Sequence, residues 1–278
     1  MSLSKSAEDI AVVIGGGGGI GLGTAARLAG RYKLLIADVS QATVDPAVDS
    51  LRAIGGRASG AVCDVTDQDS VRRLAETVRN LGRLRTLVNT AGLSPALADA
   101  RTIMDVNLLG TATILDEFLP LASAGTAAVC LASCSAYRPG FGSFDDLVRD
   151  PLTAANTVAL HQAFLRDGDP GAAYAVSKRG VILLCESRAH DWGTKGARLV
   201  SVSPGPTDTS MGRAEENPEN PRARQFMAAA TPPRRGRVHE VAAVIDFLAS
   251  DDASYVNGCD LRVDAGAMAT LLARPMPG

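Results

Sequence analysis

Short apolar runs alternate along the chain with longer segments whose apolar residues recur at helical spacing. Ile10–Ile14, Lys33–Ala37, Ala58–Cys63, Thr86–Asn89, Ala127–Ser133, Arg198–Val202 and Asp260–Val263 are brief, rich in Val, Leu and Ala, and nearly free of polar alternation. Runs of that kind read as strands buried on both faces. Between them, Leu22–Ala29, Asp67–Leu81, Ala100–Leu121, Ala172–Trp192 and His239–Ala249 read as helices. Strand–helix repetition from the first residues onward predicts an α/β fold. Its core is a doubly wound parallel sheet of about seven strands with helices on both faces, one domain over residues 1–278. Right-handed crossovers place the ligand crevice of such a sheet beyond the carboxyl ends of its strands. Functional residues are therefore expected at strand ends and on the helices that follow.

Two segments break the rhythm. Residues 138–171 interrupt the passage from the fifth strand to its helix, and residues 207–237 are polar and carry four prolines. Loops of this length in a compact domain are uncommon and are often functional.

Composition narrows the function classes. Hydrophobic residues make up 46% and charged residues 21% of 278, which fits a globular chain and excludes a disordered one. Lys and Arg total 28 against 30 Asp and Glu, a net charge of −2, so nothing favours nucleic acid as a partner. No uncharged apolar run approaches the roughly 18 residues of a membrane span, and Met1–Ile10 lacks the apolar stretch of a signal peptide. Cys63, Cys130, Cys134, Cys185 and Cys259 form no CxxC pair, and His161, His190 and His239 are scattered. This pattern predicts reduced thiols, no metal site and a cytoplasmic location.

The candidate chemistry begins after the first strand, at Gly15-Gly16-Gly17-Gly18-Gly19-Ile20-Gly21-Leu22-Gly23. Glycines between a strand and a helix let the backbone approach a pyrophosphate closely, and the helix N-terminus offers free N–H groups. The register is open: Gly16, Gly18 and Gly21 fit GxGxxG, whereas Gly15, Gly19 and Gly21 fit GxxxGxG. Asp38 ends the second strand 17 residues after Gly21, where a carboxylate can accept hydrogen bonds from ribose hydroxyls. It would repel a 2′-phosphate, and no Lys or Arg lies between Asp38 and Pro46. The expected cofactor is NAD.

Tyr174-Ala175-Val176-Ser177-Lys178 sets a phenol and an ammonium one turn apart on one helix face. Making an ordinary tyrosine, of pKa about 10, half ionised at neutral pH takes about 4 kcal/mol. A cation at ~4 Å supplies a stabilisation of that order at an effective dielectric near 20. Ser133 ends the fifth strand, with Ser135 in Ser133-Cys134-Ser135 as a second candidate. Asn89-Thr90-Ala91-Gly92 closes the fourth strand, Asn107 lies on the next helix, and Pro204-Gly205 follows the sixth strand.

Taken together, these motifs resemble a short-chain dehydrogenase/reductase of the compact, single-domain type. The resemblance runs from about Ile10 to Gly266. It includes Asp64-Val65 after the third strand, Thr209 after the Pro204-Gly205 turn, and Val263-Asp264-Ala265-Gly266. It implies a Rossmann fold and selects the GxxxGxG register. It also implies a catalytic set of Asn107, Ser133, Tyr174 and Lys178, with Lys178 gripping the nicotinamide ribose and Asn107 holding a water. The implied cofactor-binding set is Gly15, Gly19, Ile20, Gly21, Asp38, Asp64, Val65, Asn89, Ala91, Gly92, Tyr174, Lys178, Pro204, Gly205, Thr207 and Thr209. Asp64 and Asn89 also read as simple strand-end caps. The chain departs from the family pattern at Ile14, where Thr is usual, which removes a strand-end hydrogen bond. It departs again in NTAG for NNAG and VDAG for VDGG.

Ser133 and Tyr174 are 41 residues apart, far more than the family's usual dozen or so. The extra segment holds Phe141, Phe144 and Phe164, and Asp150-Pro151 reads as a helix start. One expectation is a cap that adds an apolar wall to the active site; the other is an element that packs on the surface or on a neighbouring subunit. Bacterial hydroxysteroid dehydrogenases are similar in carrying extra length here, which points to a hydrophobic or steroid-like secondary alcohol or ketone as the small-molecule substrate. Residues 207–237 correspond to the family's substrate loop. The apolar helices 100–121 and 172–192 match ones that pack between subunits in the family, which implies a homotetramer or else a dimer. The tail 267–278, with Leu271 and Leu272, could reach a neighbour. The competing readings are a non-catalytic NAD(H) sensor, which has no need of Ser133, Tyr174 and Lys178, and a dehydrogenase for small polar hydroxy or keto compounds. An epimerase and an enoyl reductase would show different motif spacings.

Overall fold

The computed structural model describes residues 8–214 and 221–273. Part of the expected substrate loop (215–220) and of the tail (274–278) lies outside the described residues.

The strands are β1 (Asp9–Ile14), β2 (Lys33–Asp38), β3 (Ala58–Val62), β4 (Arg83–Asn89), β5 (Ala127–Leu131), β6 (Arg198–Pro204) and β7 (Asp260–Val263). They form one parallel sheet in the order β3-β2-β1-β4-β5-β6-β7. The order reverses between β1 and β4, the switch point at which such sheets open their crevice. Along β1, Val12 and Ile14 enter one core while Ala11 and Val13 enter the other, as the two-residue period of a strand requires. Burial on both faces holds for the interior strands, whereas β3 and β7 form the sheet edges and stay partly exposed.

The helices are α1 (Gly19–Leu28), α2 (Gln41–Ala53), α3 (Gln68–Leu81), α4 (Ala100–Met104), α5 (Gly110–Phe118), α6 (Asp145–Arg149), α7 (Ala154–Ala163), α8 (Pro170–Gly193), α9 (Ser210–Ala214), α10 (Pro221–Ala229), α11 (Val238–Leu248) and α12 (Ala267–Ala273). Helices α1, α2 and α11 cover one face of the sheet, around Leu28, Ile36, Leu51 and Ile245. Helices α3, α4, α5 and α8 cover the other, around Leu74, Met104, Phe118 and Trp192. The helix expected over 100–121 is interrupted by a π-helical turn at Asp105–Leu109 that carries Asn107, and ends in a 3₁₀ turn at Leu119–Leu121. Among the described residues, no helix is long and apolar enough to cross a membrane.

The segment 138–171 folds into α6 and α7 and packs against α4 and α8. Val148, Leu160 and Phe164 are buried in the same core as Met104 and Val176, and the Phe144 and Phe164 rings lie 5.1 Å apart. Contact with α8 is close at Gly180, where a methyl group would lie 2.4 Å from Leu108 Cδ1 and 3.0 Å from Val148 Cβ. Asp145 pairs with Arg179, His161 with Asp105 (2.7 Å) and Arg166 with Asp99 (2.9 Å). The Arg179 guanidinium holds the Asp145 carboxyl below its ordinary range, outweighing the opposing effect of burial. As a result α8 is buried on nearly all sides from Ala173 to Cys185 within this one chain.

The helix start expected at Asp150-Pro151 is corrected. A residue before proline is pushed out of the helical region, and Asp150 (φ −138°, ψ 68°) ends α6 instead. Thr153 caps α7 by accepting from Asn156 N. The Asp–Pro start occurs further on, where Asp169 caps α8 and Pro170 opens it.

Phe164→Ala removes a buried ring from the contact between the segment and the core. It is expected to lower unfolding free energy by about 3 kcal/mol, read as a lower urea midpoint at unchanged slope.

Candidate active site

At the carboxyl end of β1 the chain turns sharply. Gly15 (φ +76°) and Gly19 (φ +51°) take left-handed backbone that side chains disfavour. A methyl at Gly15 would lie 2.5 Å from Ala91 N, and one at Gly21 would lie 2.3 Å from the Gly15 carbonyl oxygen. Positions 15, 19 and 21 therefore favour glycine, as the GxxxGxG register requires; Gly16 is close-packed as well, with a methyl there 2.8 Å from the Val13 carbonyl oxygen, whereas Gly18, which the GxGxxG register needs, is not. Helix α1 starts from Gly18 with no capping side chain and no acidic residue in its first turn. Around Gly18 a Cβ would meet nothing within 4 Å. N–H groups at such a terminus suit an anionic diphosphate, so the residues fit a dinucleotide.

Asp38 stands beside this turn at the end of β2. Its Oδ2 accepts from Gly17 N (3.0 Å) and its Oδ1 from Val39 N (2.8 Å), which fixes the carboxylate at the crevice edge. Cys63 N donates to the Asp38 carbonyl, bringing Asp64-Val65 to the same edge. The Asp64 carboxylate accepts from Thr66 N and Thr66 Oγ1, as a turn cap does. Val65 is buried so closely against Gly110 that a methyl there would lie 2.8 Å from Val65 Cγ2. The end of β1 beside Ile14 is tied to the residue after β4 instead. Thr90 Oγ1 lies 3.0 Å from the Ile14 carbonyl oxygen and 3.1 Å from that of Gly15.

A cleft of about 230 Å³ opens past the ends of β4, β5 and β6. It brings together Ile20, Gly92, Ser133, Tyr174, Lys178, Pro204, Gly205, Thr207 and Thr209, all expected site residues. Leu93, Leu131, Ala132, Cys134, Pro206 and Met211 supply apolar wall, and none of the lining residues comes from 138–171. The segment's aromatics therefore serve packing, and the expected apolar cap does not form this wall.

Lys178 is buried, 4% exposed, and donates from Nζ to the Leu131 carbonyl oxygen at 2.8 Å. Nζ lies 5.9 Å from the centre of the Tyr174 ring. Ser133 sits two residues past Leu131 and accepts from Ser135 N (3.2 Å) and Ser135 Oγ (3.0 Å). A second phenol is close in sequence: Tyr137 donates to Asp260 Oδ2 (2.7 Å), and Ser201 donates to Asp260 Oδ1 (2.6 Å). Burial first, and then the carboxylate beside it, push the Tyr137 phenol well above its ordinary value. Tyr137 braces the turn after Ser133, and Tyr174 is the phenol that has an ammonium beside it.

Asn89, Ala91 and Asn107 stand behind the cleft. Asn89 Oδ1 accepts from Ala91 N (3.2 Å), and its Nδ2 donates to Thr111 Oγ1 (2.9 Å). Thr111 Oγ1 donates to the Asn107 carbonyl oxygen (2.8 Å). Asn107 in turn clasps Leu93, accepting from its N–H (2.7 Å) and donating to its carbonyl oxygen (3.0 Å). The turn 89–93 is thereby tied at both ends to the π-helical turn. The side chains of Asn89 and Asn107 are spent inside the fold, and the strand-end cap is the role that Asn89 takes. Ser135, the second candidate serine, lines the cleft with Ser133, whereas Thr111 carried no sequence expectation, although the four-residue step from Asn107 to Thr111 on one helix face is a usable signal.

Comparison with known proteins gives a consistent picture. A family profile described as "short chain dehydrogenase" matches residues 9–143, and one described as "Enoyl-(Acyl carrier protein) reductase" matches residues 157–268. The chain is 32% identical to the short-chain dehydrogenase/reductase bsc3 of Alternaria brassicicola, over 94% of this chain and 96% of the relative. It is 33% identical to the 3-alpha-hydroxysteroid dehydrogenase/carbonyl reductase of Comamonas testosteroni, over 66% of this chain and 73% of the relative. Among solved structures, a short-chain type dehydrogenase/reductase from Mycobacterium ulcerans superposes with a TM-score of 0.76 at 26% identity, covering 96% of this chain and 92% of that one.

Beyond β7, Asp264 caps the last turn by accepting from Gly266 N and Met268 N (both 3.0 Å). Between them Ala265 is held at φ +53°, and no other non-glycine among the described residues has positive φ. This strain lies against the cleft wall, since a methyl at Gly205 would come within 3.1 Å of Asp264 Cα. Ala265→Gly is expected to stabilise the fold by about 0.5–1 kcal/mol, the left-handed strain relieved less the entropy a glycine adds to the unfolded chain. A thermal melt that moves up reads this out.

Proposed function

The chain belongs to the short-chain dehydrogenase/reductase family, and we propose that it interconverts a hydrophobic secondary alcohol and its ketone with NAD as cofactor. The observation that carries this reading is the buried Lys178 ammonium, held one helical turn from Tyr174 in a cleft shared with Ser133. A dinucleotide sensor has no use for that arrangement. A buried cation costs several kcal/mol unless it is well bonded, and here the cost is borne beside a phenol.

The dinucleotide, when bound, supplies the hydride acceptor for oxidation and the donor for reduction. The glycine turn and the start of α1 hold its diphosphate, and the Asp38 carboxylate accepts from its ribose hydroxyls. Ser133 donates a hydrogen bond to the substrate oxygen and steadies the charge that develops there. Tyr174, as phenolate, takes the alcohol proton during oxidation and, as phenol, returns it to the carbonyl oxygen during reduction. Lys178 stabilises the phenolate through space. Asn107 and Asn89 keep the turn 89–93 in place behind the cofactor. The apolar walls from Leu93, Leu131 and Met211 favour a hydrophobic substrate, steroid-like or monocyclic. The hydroxysteroid relative supports the same class.

A panel of hydrophobic secondary alcohols and ketones, read at the absorbance of the reduced nicotinamide, tests the reading. Tyr174→Phe is expected to cut turnover at least a hundredfold while NADH affinity, measured by fluorescence, changes little. A variant with full activity overturns the assignment. Asp38→Ala is expected to weaken NAD binding about tenfold or more, the loss of a charged hydrogen-bond acceptor. It should also narrow the preference for NAD over NADP, which steady-state KM values with each cofactor will show.

A further inference from the structure

We propose that Ser135 is a positioning residue that makes Ser133 a committed hydrogen-bond donor toward the substrate oxygen. The proposal rests on the oxidoreductase reading above and extends it to the orientation of one proton.

A serine hydroxyl has one proton to give and two lone pairs that accept. Ser133 lies two residues past the end of β5 in extended backbone and caps the 3₁₀ turn Cys134–Tyr137. Two groups of one residue lie within hydrogen-bond distance of Ser133 Oγ: Ser135 N–H at 3.2 Å and the Ser135 hydroxyl at 3.0 Å. When the Ser135 hydroxyl donates, the two fill the accepting capacity of Ser133 Oγ, and the Ser133 proton is left to point at an acceptor outside the pair. Ser133 is 8% exposed and both serines line the cleft, so that acceptor lies in the substrate's space.

The substrate's chemistry sets the direction of the chain. A ketone oxygen brings no proton, so it can only accept. With a ketone bound, the hydrogen bonds must run from Ser135 to Ser133 to the substrate oxygen. The reverse order would turn the Ser133 proton inward and leave the carbonyl without its donor. Hydrogen bonds in series polarise one another, so a donor behind Ser133 strengthens its bond most when the substrate oxygen gains negative charge. Ser135 therefore acts on kcat more than on substrate binding. The turn is held by other contacts as well, including the Tyr137–Asp260 bond, so the side chain of Ser135 can be changed without dismantling it.

The test compares Ser133→Ala, Ser135→Ala, Ser135→Thr and the double alanine variant in steady-state reduction of the best ketone of the panel. Ser135→Ala is expected to lower kcat about tenfold, with KM for ketone and affinity for NADH within about twofold of wild type. Ser135→Thr, which keeps the hydroxyl, should recover most of the loss. In the Ser133→Ala background the Ser135→Ala change should cost nothing further, because the group it positions is gone. Wild-type kcat in Ser135→Ala overturns the proposal. So does an added loss in the double variant, which would mean that Ser135 touches the substrate itself or serves only the fold. Either result leaves the broader reading standing as long as turnover still depends on Tyr174, whereas turnover that survives Tyr174→Phe removes that reading and this proposal with it.

Discussion

A positive charge buried at the end of a β-strand is the constraint around which the site is built. Lys178 is almost wholly buried, and a charge-assisted hydrogen bond such as the one to Leu131 contributes about 1.5–3 kcal/mol, less than the cost of burying an isolated ammonium. The arrangement persists because the surroundings over-determine it. Helix α8 is buried on nearly all sides from Ala173 to Cys185, packed against β5 and β6 on the sheet side and against α6 on the outside. The turn from β4 also approaches so closely that a methyl at Gly92 would lie 3.2 Å from both Lys178 Nζ and Asn107 Oδ1. Moving the ammonium would require moving three elements together.

The polar side chains behind the cleft serve the same purpose. Asn89, Thr111 and Asn107 form a buried relay in which each amide or hydroxyl meets backbone or a neighbour. Buried networks of this kind stabilise only when satisfied throughout, and this one joins β4 to the π-helical turn. Such a turn widens the helix locally and turns a side chain aside from its regular position. Here that side chain is Asn107, aimed at Leu93 rather than along the helix.

Local signals in the sequence were enough for much of this. The glycine run between a strand and a helix, the four-residue step from Tyr174 to Lys178, and Asp38 closing a strand each depend on a few neighbouring residues, so their places in the fold could be read from the chain. The register of the glycines was open in the run itself and was settled only by motifs elsewhere in the chain; in the fold it corresponds to the approach of Thr90 and Ala91, just past β4, to Gly15 and Gly21. Thr90 illustrates the same limit. It departs from the family pattern as Ile14 does, and the two meet, through Thr90 Oγ1 and the Ile14 carbonyl oxygen, only because β1 and β4 are neighbours in the sheet. The segment 138–171 was legible as an excursion but not in direction, since Phe144 and Phe164 would look the same facing a substrate or facing α8. Asp150-Pro151 misled because a dipeptide that can start a helix can equally end the one before it.

Sheet order links the two halves of the site. The strands run β2, β1, β4, β5 side by side, and three steps of roughly 4.8 Å set Asp38 and Ser133 about 14 Å apart across the crevice, measured between strands. Between them, at the end of β1, lies the glycine turn. A ligand lying across these strand ends meets a carboxylate first, then bare N–H groups, then the serine, tyrosine and lysine. That is the order of ribose, diphosphate and reactive ring in a dinucleotide, and it follows from topology before any side chain is considered. Under the proposed function, a change of residue at Asp38 would alter which ribose is welcome, and a change at Met211 or Leu93 would alter which substrate is. Neither can alter the order, because the order belongs to the strands.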